Sequence, residues 1–332
     1  MAAQLTWSAP RWMTGRGAGL VLYILRRVLW LIPVLLFVAL ITFALMHFAP
    51  GSPWDREGRQ LSPTVVQALN EKYGLDKPLA MQFLIYIWNV MHLDFGVSYQ
   101  YTGRSVSGLL LQSWPYTFAI GGLAFVVIVV GGIGLGVLAA LRQNTWVDYV
   151  VLGVSTLGAS VPNFVVGMVL VIIFAITLNH LTGSSFYLPT GGFALDQHLI
   201  MPVLTLAFLP MAFLARLTRS STLETLRQDY VRTAWAKGLQ SRLVVARHIL
   251  RNALIPVVTA LGPTFANLVT GSFVIEQLFT IPGIGRSYVN AISARDYPMI
   301  MATTLLYAFM IVFANLIVDV AYHFIDPKVR VS

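Results

Sequence analysis

Six runs of apolar residues, at 28–49, 116–141, 149–178, 199–217, 254–278 and 299–324, are each long enough to cross a bilayer as a helix, and they leave this chain few other folds. A helix needs about 20 mainly apolar residues to cover roughly 30 Å of hydrocarbon. Water is absent there, and a helix satisfies its own backbone N–H and C=O groups. Only 11% of the residues are charged, against roughly 25% in soluble domains, and mean hydropathy is +0.74. The expectation is an all-α integral membrane protein with six transmembrane helices. It divides into an N-terminal segment 1–27, a first helix 28–49, a loop 50–115 with short helices, a five-helix core 116–325 that contains a polar loop at 218–253, and a tail 326–332. The run after Arg26 and Arg27 is too long for the apolar part of a removable signal and lacks a small-residue cleavage site, so it reads as a retained helix.

Six spans put both termini on one side. Arg56, Arg59, Lys72, Lys77, Arg104, Arg286 and Arg295 fall on the other side, and the remaining fifteen of the 22 Lys and Arg residues share the side of the termini. The long loop also offsets its basic residues with Asp55, Glu57, Glu71, Asp76 and Asp94. Basic residues concentrate on cytoplasmic flanks, so the termini and the 218–253 loop are expected in the cytoplasm. The pI of about 9.9 is then mostly a topology signal. Lipid is an expected partner and nucleic acid is not.

The outer loop is too long for a plain connector. In "SPTVVQALNEKYGL", Ser62 reads as an N-cap, Pro63 as the first helical residue and Gly74 as the stop. The "MQFLIYIWNVMHLDFG" segment after it predicts an aromatic-rich helix too short to span, lying at the interface. A stabilising cap and a docking surface for an external partner both suit this loop.

Inside the spans, ionisable groups are nearly absent: Glu276 stands near the outer end of the fifth run and Asp319 near the inner end of the sixth. A proton- or sodium-driven transporter would need a carboxylate relay near the midplane, and none is visible. Proline and small polar residues soften the spans instead: Pro162 and Asn163 in the third, Pro202 and Pro210 in the fourth, Pro263, Asn267, Thr270, Gly271 and Ser272 in the fifth. Proline frees a backbone carbonyl that a neighbour must satisfy, which suits either a solvated path or ordinary kinks. Gly132 and Gly136, four apart, predict close helix packing. No catalytic or metal site is expected. Cysteine is absent, the histidines at 47, 92, 180, 198, 248 and 323 offer no local ligand pair, and no nucleotide-binding G-x-x-x-x-G-K-[ST] loop or G-x-S-x-G elbow occurs.

One polar stretch, "DYVRTAWAKGLQSRLVVARHILRNALIP", is distinctive. Its Arg232, Lys237, Arg242 and Arg247 recur every five residues, so successive charges rotate by about 140° and form no continuous basic face. Gly238 predicts a break between two short helices. The second carries an apolar stripe of Leu239, Leu243, Ala246, Leu250, Ala253 and Leu254. The first, around Tyr230, Thr233, Ala234 and Ala236, presents small residues suited to another protein's groove.

This stretch resembles the EAA-type loop of ABC importer permeases. From Arg26 to Arg330 the chain is similar to the first permease subunit of the dipeptide/oligopeptide importers, through "ILRRVLWLIP", "HFAPGSP", "YGLDKP", "DFGVS", "RLTRSSTLETLRQDYVRTAWAKGL", "RHILRNALIPVVT", "IPGIGR", "RDYPM" and "DPKVR". The general signature has Glu-Ala-Ala where this chain has Arg232, Thr233 and Ala234, a departure that looks like the peptide branch.

The resemblance implies a type I, MetI-like permease fold in a prokaryotic cytoplasmic (inner) membrane. It also implies a second homologous permease, two ATPase subunits that hold ATP and Mg, and an extracytoplasmic substrate-binding protein, with no cofactor in this chain. Asp229, Tyr230, Thr233, Ala234, Ala236, Lys237 and Gly238 would contact the ATPase, and Pro162, Asn163, Asn267, Thr270 and Glu276 would line the path. Peptide uptake is the leading expectation. The same permease type serves nickel-chelate, glutathione or oligosaccharide uptake, and an energy-independent pore or an intramembrane enzyme are the readings from other classes.

Overall fold

Prolines and glycines at the margins of the apolar runs decide where the helices begin and end. The computed structural model describes residues 16–54, 62–183, 188–269 and 271–325. Helix α1 spans Arg16–Phe48, α2 Pro63–Tyr73, α3 Leu79–Met91, α4 Val106–Leu141 and α5 Trp146–Ser160. They are followed by α6 at Asn163–Leu181, α7 at Ile200–Leu226 and α8 at Asp229–Ala236. The last four are α9 at Ser241–Leu268, α10 at Phe273–Leu278, α11 at Ile284–Ser293 and α12 at Tyr297–Ile325. Among the described residues six helices, α1, α4, α6, α7, α9 and α12, contain stretches long and apolar enough to cross a membrane.

Two of the expected spans are divided. Pro162 interrupts the third run: proline disfavours helical backbone in the residue before it, and Val161 is extended at φ −102°, ψ 126°. Pro162 therefore heads α6 instead of lying inside a span, and α5 is a separate helix of 15 residues. The fifth run is cut at Gly271, whose φ of +84° disfavours a side chain. The span here is Ser241–Leu268, and Glu276 lies beyond it on the short α10. The second helix starts at Val106, not 116, because Ser105 caps it by accepting from the Gly108 N–H at 3.2 Å. The fourth continues to Leu226, since Thr218, Ser221, Thr222 and Thr225 are all buried on it. Thr270 and the 326–332 tail lie outside the described residues, as does the side chain of Asp319.

Helix α7 is the central rod, with α4, α5, α6 and α9 packed around it, while α1 lies along α12. The α4–α7 seam is the most extensive of these contacts, and the glycine pair places it. A Cβ on Gly136 would sit 2.5 Å from the Ala215 carbonyl oxygen, and one on Gly132 would sit 2.8 Å from the Leu214 Cβ. Gly158 of α5 approaches Ala212 in the same way.

The described part of the loop after α1 contains the two short helices that the sequence predicts. Pro63 opens α2, and Gly74 closes it in the left-handed region at φ +71°. The 13-residue α3 follows. Trp54 donates from Nε1 to Asn70 Oδ1 at 2.7 Å and clusters with Tyr73 and Tyr99 at ring separations of 4.8–5.3 Å. Asp296, 1% exposed, fastens this loop to the start of α12. Its carboxylate accepts from the Ser98 hydroxyl, from the Tyr99 N–H at 3.1 Å and from the Met299 N–H at 3.4 Å.

Gly136→Ala should destabilise the protein by about 1–3 kcal/mol through overpacking against backbone. Gly134→Ala, which meets nothing within 4 Å on the same helix, should leave stability unchanged or raise it. Thermal unfolding of the two variants in detergent checks the contrast, and equal midpoints would refute the seam.

Candidate functional site

The polar loop builds a small folded unit of its own. Val231 and Ala234 of α8 pack on Val244 and Ile249 of α9, flanked by Leu226, Leu239 and Val245. Burying residues three apart turns the rest of α8 outward. Asp229, Tyr230, Thr233, Ala236, Lys237 and Gly238 are exposed, whereas Ala234 is 5% exposed and Val231 fully buried. Ala234 therefore packs into the loop's own core. Gly238 stands at φ +76° with nothing within 4 Å of a Cβ. The backbone turn, not space, requires glycine there.

Two linkages tie this unit to the membrane helices. The Asn252 amide donates to the Tyr230 hydroxyl at 3.0 Å and to the His248 carbonyl at 3.1 Å, joining α8 to α9. On α7, two turns before the loop, Arg219 forms a fork on Asp148 of α5, with Nε–Oδ1 at 2.5 Å and Nη2–Oδ2 at 2.7 Å. Asp148 is 1% exposed and also accepts from the Asn144 N–H at 3.0 Å, which fixes the α4–α5 turn. The Arg219 hydrogen bonds hold its carboxyl below the usual carboxylate range, against the opposing effect of burial. Sequence reasoning missed this pair. The available signal was one acid and one base, each at the inner end of an apolar run.

Of the expected path residues described, Pro162 and Asn163 stand at the head of α6, Asn267 on α9 and Glu276 on α10. Pro162 is exposed at the head of α6, and Asn163 carries a buried Oδ1 that lacks a partner. Asn267 is exposed on α9. Glu276 is 3% exposed. Its Oε1 accepts from the Thr117 hydroxyl at 2.8 Å and its Oε2 from the Arg286 N–H at 3.0 Å, while Thr117 Oγ1 accepts from the Ile284 N–H at 2.9 Å. Burial pushes the Glu276 carboxyl up, and the Arg286, Thr117 and Gly285 hydrogen bonds hold it down. An acid seated on the first N–H groups of α11 is stabilised by the helix dipole and clamps that helix to α4.

Residues 132–331 match the family model described as "Binding-protein-dependent transport system inner membrane component", and residues 20–121 match the N-terminal model of the same kind of component. A dipeptide transport system permease protein of Bacillus subtilis is 40% identical over 93% of this chain and 97% of its own length. An oligopeptide transport system permease protein of Escherichia coli is 42% identical over 93% of this chain and 99% of its own. Among solved structures, an inward-facing form of the MetNI methionine ABC transporter aligns with a TM-score of 0.53 at 17% identity, covering 66% of this chain and 96% of that one. At that identity the likeness establishes the fold alone.

Asp148→Asn should cost about 3 kcal/mol, at the low end for a broken buried pair, because Arg219 keeps 19% of its side chain exposed. A lowered carboxyl contributes stability that is complete above its unfolded value of about 3.9 and is lost as pH falls through the folded value. Thermal unfolding should therefore weaken in acid for the native chain. The Asp148→Asn variant should lack that component of the acid dependence.

Proposed function

This chain belongs to the family of binding-protein-dependent inner-membrane transport components, and we propose that it is the permease subunit of an ATP-binding cassette importer for di- or oligopeptides. The observation that carries the reading is α8: a short helix raised on its own core, with one face exposed and both ends rooted in membrane-length helices. Such an element has no use in a passive pore. It suits docking to a cytoplasmic ATPase. The substrate class is supported by the dipeptide and oligopeptide permeases that share 40–42% of its residues.

In this reading α8 faces the cytoplasm, on the side of the chain richest in Lys and Arg. Two partner ATPase subunits bind ATP and Mg, and hydrolysis occurs there. A second, homologous permease completes the path, and an extracytoplasmic binding protein delivers the peptide to the face that carries α2, α3 and α11. Asp229, Tyr230, Thr233, Ala236, Lys237 and the Gly238 turn form the ATPase contact, with Ala234 shaping it from behind. A push on α8 passes through the Tyr230–Asn252 hydrogen bond into α9 and along the chain into α7. Asp148 and Arg219 bind α5 to α7 so that the two move together. Pro162, Asn163, Asn267 and Thr270 remain the proposed wall of the path, while Glu276 supports it from behind.

Gly238→Val places a β-branched residue in the left-handed region, which costs roughly 1–2 kcal/mol of backbone strain and tilts the contact face. Uptake of a labelled dipeptide by the reconstituted importer should fall at least several-fold, with the level of the chain in the membrane unchanged. Full uptake by this variant would refute the assignment of the turn.

A further inference from the structure

The outer face holds a polar cavity of about 290 Å³ that none of the preceding roles uses. It lies between the end of the outer loop, the outer start of α4 and the α11–α12 corner. Gln100, Arg104, Gln112, Arg286, Asn290 and Asp296 are among the residues that line it. Arg104 and Arg286 bring two positive charges to one small concavity, and like charges repel each other unless an anion joins them.

Among the described residues no such anion pairs with them. Asp296 is the acid in the wall, and its carboxylate is already occupied by Ser98, the Tyr99 N–H and the Met299 N–H. Glu276 takes the backbone N–H of Arg286 rather than its guanidinium. No acidic side chain among the described residues pairs with Arg104 or Arg286. Arg104 leans on the Gln112 carbonyl at 3.1 Å, a neutral partner. Arg286 donates from Nη1 to the Thr280 carbonyl at 2.8 Å, and its Nε is buried with no acceptor. A buried donor left unmade is costly.

The cavity is assembled away from α6, α7 and α9, so a peptide in the path would not reach it. Its walls come from the outer loop and the outer helix ends, the surface that an external partner meets first. We infer that this cavity receives a carboxylate side chain, Asp or Glu, of the docked extracytoplasmic binding protein, with Arg286 gripping it and Arg104 closing over it. The inference rests on the importer reading above. It makes the two arginines a specific docking socket, not general topology charges.

The test uses the complete importer in lipid nanodiscs and the purified, peptide-loaded binding protein of the same transport system. Surface plasmon resonance across a salt series should show Arg286→Gln and Arg104→Gln each weakening binding by roughly tenfold or more, with a shallower salt dependence. Arg286→Glu should abolish binding, and a single Asp or Glu to Lys change on the binding protein should restore it. Because Arg104 is exposed, its variant keeps the test open where an Arg286 variant fails to assemble. Wild-type affinity and salt dependence in both Gln variants would overturn the socket. Binding of free peptide to the importer that is lost in Arg286→Gln would also overturn it, by giving the site to substrate. A wild-type importer with no affinity for the binding protein would instead overturn the importer reading itself.

Discussion

The close approach of α4 to α7 is the constraint on which the remaining architecture depends. Lipid tails are as apolar as leucine, so helices in a membrane gain little by hiding apolar surface from them and associate through close packing and polar contacts. Gly132 and Gly136 let the α4 backbone come within reach of Leu214 and the Ala215 carbonyl, and Gly158 does the same for α5 against Ala212. Three small residues therefore converge on one short stretch of α7. With more than half of its apolar window buried, α7 is the most enclosed of the six spans. The others are arranged around it.

At the two ends of this rod the charged groups do different work from the one that an apolar composition suggests. Asp148, Glu276 and Asp296 are each at most 3% exposed, and each is saturated by donors from a distant segment. Asp148 joins α5 to α7 near the C-terminal end of α7. Glu276 and Asp296 seat the starts of α11 and α12 and fasten α4 and the outer loop to them. None of the three is part of a chain of titratable groups through the membrane. Their carboxylates act as clamps on helix ends.

Much of this is legible in the residues. The six apolar runs correspond to six spans, Ser62, Pro63 and Gly74 to the limits of α2, the Gly132–Gly136 spacing to the seam, and Gly238 to the break after α8. What is not legible has physical causes. An unbroken apolar run does not distinguish one helix from two joined by a tight turn, so Pro162 and Gly271 look like kinks inside spans when they are breaks between helices. Ala234 is small and flanked by polar residues, and only the packing of Val231 against Val244 and Ile249 reveals that it faces inward. The pairs Asp148–Arg219 and Ser98–Asp296 join residues 71 and 198 positions apart, and nothing local to either member announces its partner.

The placement of rigid and compliant parts then argues for how such a subunit moves. The α4–α7 seam is tight, with a backbone carbonyl at the contact, and cannot slide without losing its packing. Compliance lies beside it: the Pro162 break between α5 and α6, the wider π turns at Val171–Thr177 and Val245–Ile249, and the left-handed glycines 238 and 271 at either end of α9. If α8 is displaced by a partner as proposed above, rotation of α9 and α6 about these points would take up the movement more readily than sliding at the seam. Asn163 stands at the first of them, with a buried Oδ1 that lacks a partner.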